Sequence, residues 1–432
     1  MTMPLKIGIA GLGNVGASVF RLLADNAAVV SGRAGRDVVV TAVSARDKSR
    51  DRGIDVSGVT WHDNPQALAI DANVDVVVEL MGGAEGAAFD LVSAALAAGK
   101  PVVTANKALL ASRGAEVLAL LKNSKSTIAY EAAVAGGIPV IKGLREGLAG
   151  NNVRAIYGIL NGTCNFILSE MTSTGRDFAD VLAEAQALGY AEADPTFDVD
   201  GIDAGHKLSI LSGLAFGCVP DVKHIEMKGI RHITALDIAF ADELGYRIKL
   251  LGTARETERG IEQSVEPCLV PKESPIAAVD GALNAVYIDG DYVGKVLLMG
   301  AGAGGNATAS AVVADIVDVA RGHVLPLMGV RGEAVTALTP ADIRRRVESF
   351  YLRFKVLDKP GVVADISAIL RDCHVSLESV LQRGRDPGQP VQLIMTTHET
   401  LEQDMQNAIE KIADLDAVME KPHMMRIEEF DA

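Results

Sequence analysis

Near the N-terminus an apolar run, Lys6-Ile-Gly-Ile-Ala10, leads into Gly11-Leu-Gly13-Asn-Val-Gly16, and apolar spacing with a helical period continues from Ala17 to Leu23. A strand must stop, turn on glycine and start a helix within a few residues. The parallel sheet of a Rossmann domain does this, and few other architectures do. The first glycine permits the tight turn, the second lets a pyrophosphate approach the backbone, and the third lets helix and strand pack closely. The free N–H groups and positive dipole end of the new helix then face the phosphates. An α/β dinucleotide-binding domain is expected, with Gly11, Gly13 and Gly16 at the cofactor. A glycine turn without a ligand is the plainer alternative, and the flanking strand and helix weigh against it.

Residues 37–43 read as the second strand, and Ser44-Ala-Arg46-Asp47-Lys48 follows it. An NAD site usually has an acidic residue here for the ribose hydroxyls, whereas an arginine and a lysine suit a 2′-phosphate. NADP is the cofactor read from these residues. NAD is also accommodated, since Asp47 sits between the two bases. Residues 74–80 and 101–107 read as the next strands. Ligands of such sheets bind beyond the carboxyl ends of the strands, which puts Thr104 and Lys107 where a nicotinamide and a substrate meet. An ordinary surface lysine is the alternative. After a strand at 128–131, the loop Ala132-Ala-Val-Ala-Gly-Gly-Ile-Pro139 exposes several carbonyls beside one carboxylate. It reads either as a monovalent-cation site or as a simple tight turn.

The chain divides into 1–132, 133–306, a returning helix and linker at 307–348, and 349–432. In the second part a strand at 153–160 ends at Asn161-Gly162-Thr163-Cys164-Asn165, and a helix at 177–188 leads into the acidic stretch from Gly189 to Lys207. Asp203 and Lys207 fall four apart on one helical face. Alone, that stretch reads as a solvated loop with a weak exposed ion pair. A second glycine-rich loop at 300–306 precedes the helix at 307–320, and 331–349 reads as a connector. From Phe350 the order is strand, helix, two strands, helix and strand, with a Pro/Gly-containing hairpin loop between the middle strands. This is a small ferredoxin-like unit.

A formal net charge of −15 argues against nucleic-acid or anionic-membrane partners, because both bind basic surfaces. Four scattered cysteines lack C-x-x-C spacing, so neither a disulfide framework nor a structural zinc site is expected. No apolar run reaches membrane-spanning length and no terminal segment reads as a signal peptide, so a soluble cytoplasmic protein is expected.

Four segments then come together: Thr104-Ala-Asn-Lys107, Tyr130-Glu131-Ala-Ala-Val-Ala-Gly-Gly-Ile-Pro139, Asn161-Gly-Thr-Cys-Asn165, and Leu188-Gly-Tyr-Ala-Glu-Ala-Asp-Pro195 through Asp203 and Lys207. Over nearly the whole chain the sequence resembles homoserine dehydrogenase, of the monofunctional type with a C-terminal ACT domain. The resemblance implies a Rossmann domain, an α+β substrate and dimerisation domain and a ferredoxin-like ACT domain. It implies NAD(P)-dependent interconversion of L-homoserine and L-aspartate 4-semialdehyde in threonine and methionine biosynthesis, with an amino-acid substrate and a homodimer or homotetramer. Lys207 matches the general acid/base and Lys107 the second active-site lysine. Glu192 matches the carboxylate for the substrate ammonium, with Asp198 and Asp203 as supporting acids and Gly162 and Thr163 near the substrate. Implied cofactor contacts are Asn14, Val15, Arg46, Lys48, Thr104, Lys107, Gly189 and Gly304. The loop after residue 130 carries over as a sodium or potassium site, through the Glu131 carboxylate and the backbone oxygens of Val134, Gly136 and Ile138. The ACT unit, marked by Leu357-Asp-Lys-Pro-Gly-Val362, implies feedback inhibition by threonine, which truncation from about Phe350 would test. A purely dimerising unit is the alternative. Asp194 and Asp200 receive no role.

Two other functions compete. Cys164 suggests a semialdehyde dehydrogenase that forms a thiohemiacetal, for which His206 is the nearby candidate base. A non-enzymatic sensor of NADP and amino acids would use the first and last domains, and the paired lysines disfavour it.

Overall fold

The computed structural model describes residues 3–383 and 388–430, so part of the hairpin loop read between the middle strands of the C-terminal unit lies outside the described residues. Six parallel strands form the first sheet, in the order Thr60–His62, Val38–Ser44, Leu5–Ala10, Val76–Glu79, Val102–Thr104 and Ile128–Ala129. This 3-2-1-4-5-6 order belongs to a doubly wound sheet, with its switch point between Leu5–Ala10 and Val76–Glu79. Residues of Val76–Glu79 are buried on both faces, as a strand covered by helices on either side requires. Helix Asn14–Asp25 follows the glycine turn, and helix Gly305–Ala320 returns from far along the chain to pack on it. Ala309, Val312 and Ile316 share one buried core with Ile9, Val19 and Leu23.

The strand expected over 101–107 is only Val102–Thr104. Asn106 ends it by capping a helix, Lys107–Lys122, and its Oδ1 accepts the Leu109 N–H at 3.0 Å. Lys107 is therefore the first residue of a helix and not the tip of a strand. Glu131 likewise lies beyond its strand, in a 3-10 turn at Glu131–Ala133.

The second sheet runs Gly294–Ala301, Leu283–Gly290, Val153–Ile159, Tyr246–Thr257, Gly260–Pro271, His423–Ile427, Val347–Leu357, Pro390–Thr397 and Leu377–Gln382, with two short strands beside this path. Its last four strands have the ferredoxin-like order, yet they are not a separate module. Strand His423–Ile427 pairs in parallel with Gly260–Pro271, placing Arg426 opposite Cys268 and Ile427 opposite Leu269. Buried charges fill this seam. Arg426 reaches Glu266 at 3.2 Å, Thr253 at 3.1 Å and Glu428. Arg346 binds Glu266 at 2.6 Å and Glu402 at 2.5 Å, and Arg255 binds Glu348 at 2.6 Å and also Glu428. Arg346 thus turns the expected connector into part of the core. Truncation from Phe350 is not a clean test of regulation. It opens a sheet edge and strips Arg346 and Arg255 of buried partners, which is strongly destabilising.

His423 and His232 also meet at this seam, with rings 4.5 Å apart. Nε2 of His423 is buried without a hydrogen-bond partner. Burial pushes His423 down to about 4 and lowers His232 as well. Their folded values lie below the unfolded value, so their contribution is complete above about pH 6.5 and is lost as pH falls toward 4. The thermal midpoint is expected to drop over that window, and His423→Gln should drop about 2 °C less. Equal drops in scanning calorimetry would remove His423 from the explanation.

Candidate active site

The glycine turn shows why each glycine is there. Gly11 holds φ at +97°, and a Cβ on it would lie 2.6 Å from the Leu80 carbonyl oxygen. On Gly16 a Cβ would lie 2.0 Å from the Gly11 carbonyl oxygen. Around Gly13 there is nothing within 4 Å, so a ligand can approach the backbone there. Gly13 caps helix Asn14–Asp25 without any side-chain hydrogen bond, which leaves the first-turn N–H groups of Asn14 and Val15 for a phosphate. A second helix start converges on the first. Gly304, also in open space, caps helix Gly305–Ala320, and Gly305 packs on Asn14 and Ser18.

At the end of Val38–Ser44, Arg46 and Lys48 are exposed. Lys48 and Arg52 stand 5.9 and 5.8 Å from the Trp61 ring, and Arg52 Nε donates to the Leu12 carbonyl at 3.1 Å. Leu12, Lys48, Arg50, Arg52 and Trp61 line one cavity beside the glycine turn, and Arg46 is not among its walls. Arg50 and Arg52 emerge only from the fold, although bases at every second position from 46 to 52 were a legible signal. Thr104 is fully buried, its hydroxyl donates to Glu79 at 2.7 Å, and it accepts the Asn106 N–H, so its side chain orders the turn before Lys107.

The cleft itself is a cavity of about 270 Å³ at the carboxyl ends of the first sheet's strands. Val15, Met81, Lys107, Gly136, Lys207 and Thr308 are among its walls. Of the stretch that reads alone as a solvated loop, its last residue, Lys207, forms part of the wall. Lys207 and Asp203 are buried on helix Ile202–Phe216 and pair at 2.7 Å. The other oxygen of Asp203 meets Lys107 at 3.1 Å. Asn161, missed in the sequence, joins the parts. Its amide donates to Asp203 at 2.9 Å and Asp198 at 2.7 Å, while its oxygen caps helix Gly162–Thr174 at Cys164 N. Burial would raise the Asp203 carboxyl, but Lys207 and Lys107 outweigh burial and hold it below the usual range. Burial raises Asp198.

Gly162 needs to be glycine, because a Cβ would lie 2.7 Å from the Ala282 carbonyl oxygen. Thr163 donates to Tyr190 O at 2.6 Å and so ties the loop carrying Gly189 and Glu192 to this helix. Gly189 is exposed at φ +78°, and Glu192 is exposed with no ion pair among the described residues. Asp194 and Asp200 gain structural contacts. Asp194 accepts the Thr196 N–H, and Asp200 pairs with Arg231 at 2.5 Å.

In the loop behind the cleft Glu131 is buried, and its two oxygens accept the Ile141 and Lys142 N–H groups at 2.9 and 2.8 Å. Burial and Asp315 push its carboxyl up to about 7. Val134 and Ile138 are buried and Gly136 sits at φ +41°, where a Cβ would strike Gly302 O at 2.6 Å. The Ile138 carbonyl already accepts the Val140 N–H at 2.8 Å.

Cys164 does not form a thiohemiacetal here. It is fully buried, its thiol donates to the Asp198 carbonyl at 3.2 Å, and burial beside Asp198 and Asp203 raises it well above the thiol range. A nucleophilic cysteine needs access and a lowered value.

A phosphate-cradling glycine turn opening onto a cleft with two lysines on one carboxylate defines a nicotinamide-dinucleotide-dependent oxidoreductase. Residues 11–131 match the NAD-binding domain of homoserine dehydrogenase, 139–317 match homoserine dehydrogenase and 350–417 match the ACT domain. The chain belongs to the homoserine dehydrogenase family, oxidoreductases acting on a CH–OH group. A homoserine dehydrogenase of Neisseria gonorrhoeae is 46% identical, over 98% of this chain and 99% of its own. The crystal structure of one from Thiobacillus denitrificans aligns with a TM-score of 0.93 and 45% identity, over 99% of both chains. A hyperthermophilic archaeal homoserine dehydrogenase in complex with NADPH aligns with a TM-score of 0.63 and 28% identity, over 73% of this chain and 97% of its own. Among the described residues no helix is long and apolar enough to cross a membrane.

Since Gly13 borders only open space, Gly13→Ala should leave the ligand-free thermal midpoint unchanged and raise the dinucleotide Kd about tenfold or more by titration calorimetry. An unchanged Kd would remove the phosphates from this turn.

Proposed function

We propose that the enzyme interconverts L-homoserine and L-aspartate 4-semialdehyde, within threonine and methionine biosynthesis, with Lys207 as general acid/base. The observation that carries this role is the use of the Lys207 donors. An ammonium has three N–H bonds. Two go to Leu160 O and Asp203, each at 2.7 Å, and the lysine borders the cleft, so the third is free for a substrate oxygen. A nicotinamide bound in the cleft supplies or accepts the hydride at the carbon bearing that oxygen. In reduction Lys207 gives its proton to the oxygen as the carbonyl becomes an alkoxide, and in oxidation neutral Lys207 removes the hydroxyl proton. Asp203 keeps Lys207 and Lys107 beside each other despite their like charges. Lys107 stabilises negative charge on the same oxygen. Glu192, Asp198 and the loop from Gly162 to Thr163 are read as the seat of the substrate ammonium and carboxylate. The exposure of Glu192 supports this, since its carboxylate is left for an incoming cation. Lys207→Ala should lower kcat by about 100-fold or more while the dinucleotide KM stays within about threefold. Near-normal turnover would refute the role.

The bases around Trp61 support a preference for NADP, with NAD as a slower substitute. The loop from Glu131 to Ile138 is read as a sodium or potassium site. Two buried carboxylates there, Glu131 and Asp315, face one close lysine, Lys142, at 3.3 Å from Asp315. Association into a homodimer or homotetramer is supported by edge strand Gly294–Ala301, where Met299 is exposed, as is Val293 just before the strand. Threonine binding to the ACT domain has a physical route to the cleft. The ACT strands share a sheet with Val153–Ile159, which runs into Leu160 and Asn161. One set of initial rates covers these readings, with NADP and NAD, in sodium, potassium or tetramethylammonium salts, with and without threonine. NADP should be favoured, the large cation should slow the enzyme and threonine should inhibit it; any one of these failing removes that reading alone.

A further inference from the structure

Lys107 occupies an awkward place for a cation. It is the first residue of helix Lys107–Lys122, where the macrodipole is positive, and its side chain is one-third exposed. Among the described residues the ion pair of the ammonium comes from outside its own helix. Asp203 contributes one oxygen at 3.1 Å, and that carboxylate is shared with Lys207 and Asn161. One contact leaves a four-carbon side chain free to swing.

The remaining contact is an aromatic face. Lys107 Nζ lies 5.8 Å from the centre of the Phe197 ring, within the range of a cation–π attraction. Phe197 belongs to helix Thr196–Val199, which also carries Asp198. Phe197 is 42% exposed, so its side chain is not locked in the core. Behind it, His206 packs edge-on at 5.5 Å with an interplanar angle of 89°. His206 immediately precedes Lys207, and burial and Lys107 lower its pKa, so a neutral ring backs the phenyl group at neutral pH. Asp194 and the pair of Arg231 with Asp200 and Thr196 fix the short helix that presents the phenyl group.

We propose that Phe197 is a positioning residue for Lys107: its ring, braced by His206, fixes the Lys107 ammonium toward the reacting oxygen from across the cleft. This rests on the acid/base reading of the two lysines. Phe197 touches neither substrate oxygen nor hydride, and acts only through Lys107.

The test is a double-mutant cycle on the full-length enzyme. Phe197→Leu should lower kcat about fivefold with the dinucleotide KM within about twofold and the thermal midpoint unchanged. Phe197→Tyr keeps a ring and should recover kcat to within about twofold. In a Lys107→Ala background, Phe197→Leu should cost less than about 1.5-fold. Full activity in Phe197→Leu overturns the proposal, as does an equal loss with and without Lys107. A Lys107→Ala enzyme with wild-type kcat overturns the acid/base reading and this proposal together.

Discussion

Everything in the cleft hangs on a single buried carboxylate. Asp203 gives one oxygen to Lys207 and Asn161, and the other to Lys107, which starts a helix of the dinucleotide-binding part. Two ammonium groups this close repel each other, and neither would remain beside the other in a dry site without an anion between them. The carboxylate in turn would be costly to bury alone. Each charge is tolerable only because the others are present. That mutual dependence joins the first domain's Lys107 to the second domain's Asp203 and Lys207 at the cleft.

The fold around it directs these charges without adding many more. A capping asparagine starts helix Lys107–Lys122, a second starts helix Gly162–Thr174, and glycines at 13 and 304 start the two helices that converge beside the glycine turn. Asn161 does two jobs with one side chain, because the amide that caps a helix also bonds both acids of the clamp. Substituting it would cost structure and chemistry at once, so the two losses cannot be separated at that position.

Much of this was legible in the chain. The glycine spacing between a strand and a helix predicted the first sheet, and four-residue spacing put Asp203 and Lys207 on one face. What the pattern could not carry was burial. Exposed and buried i,i+4 pairs look alike in sequence, so the clamp resembled a solvated loop. The segment at 101–107 looked like one strand because Asn106 reads equally as a strand end and as a helix cap. Thr104 stood at the correct strand end but pointed inward to Glu79, and a strand's alternation cannot tell which face a ligand will occupy. Arg346 lay in what looked like a linker, since its partners Glu266 and Glu402 are distant in sequence.

The seam between Gly260–Pro271 and His423–Ile427 sets an order on synthesis. Glu266 emerges from the ribosome 160 residues before Arg426, and until then the sheet that carries Gly260–Pro271 has an unpaired edge. That edge therefore closes late, when the ACT strands arrive. A chain that lacks the ACT strands exposes this edge, the kind of surface that favours aggregation. Joining the two parts in one sheet ties completion of the substrate domain's edge to the arrival of the ACT strands.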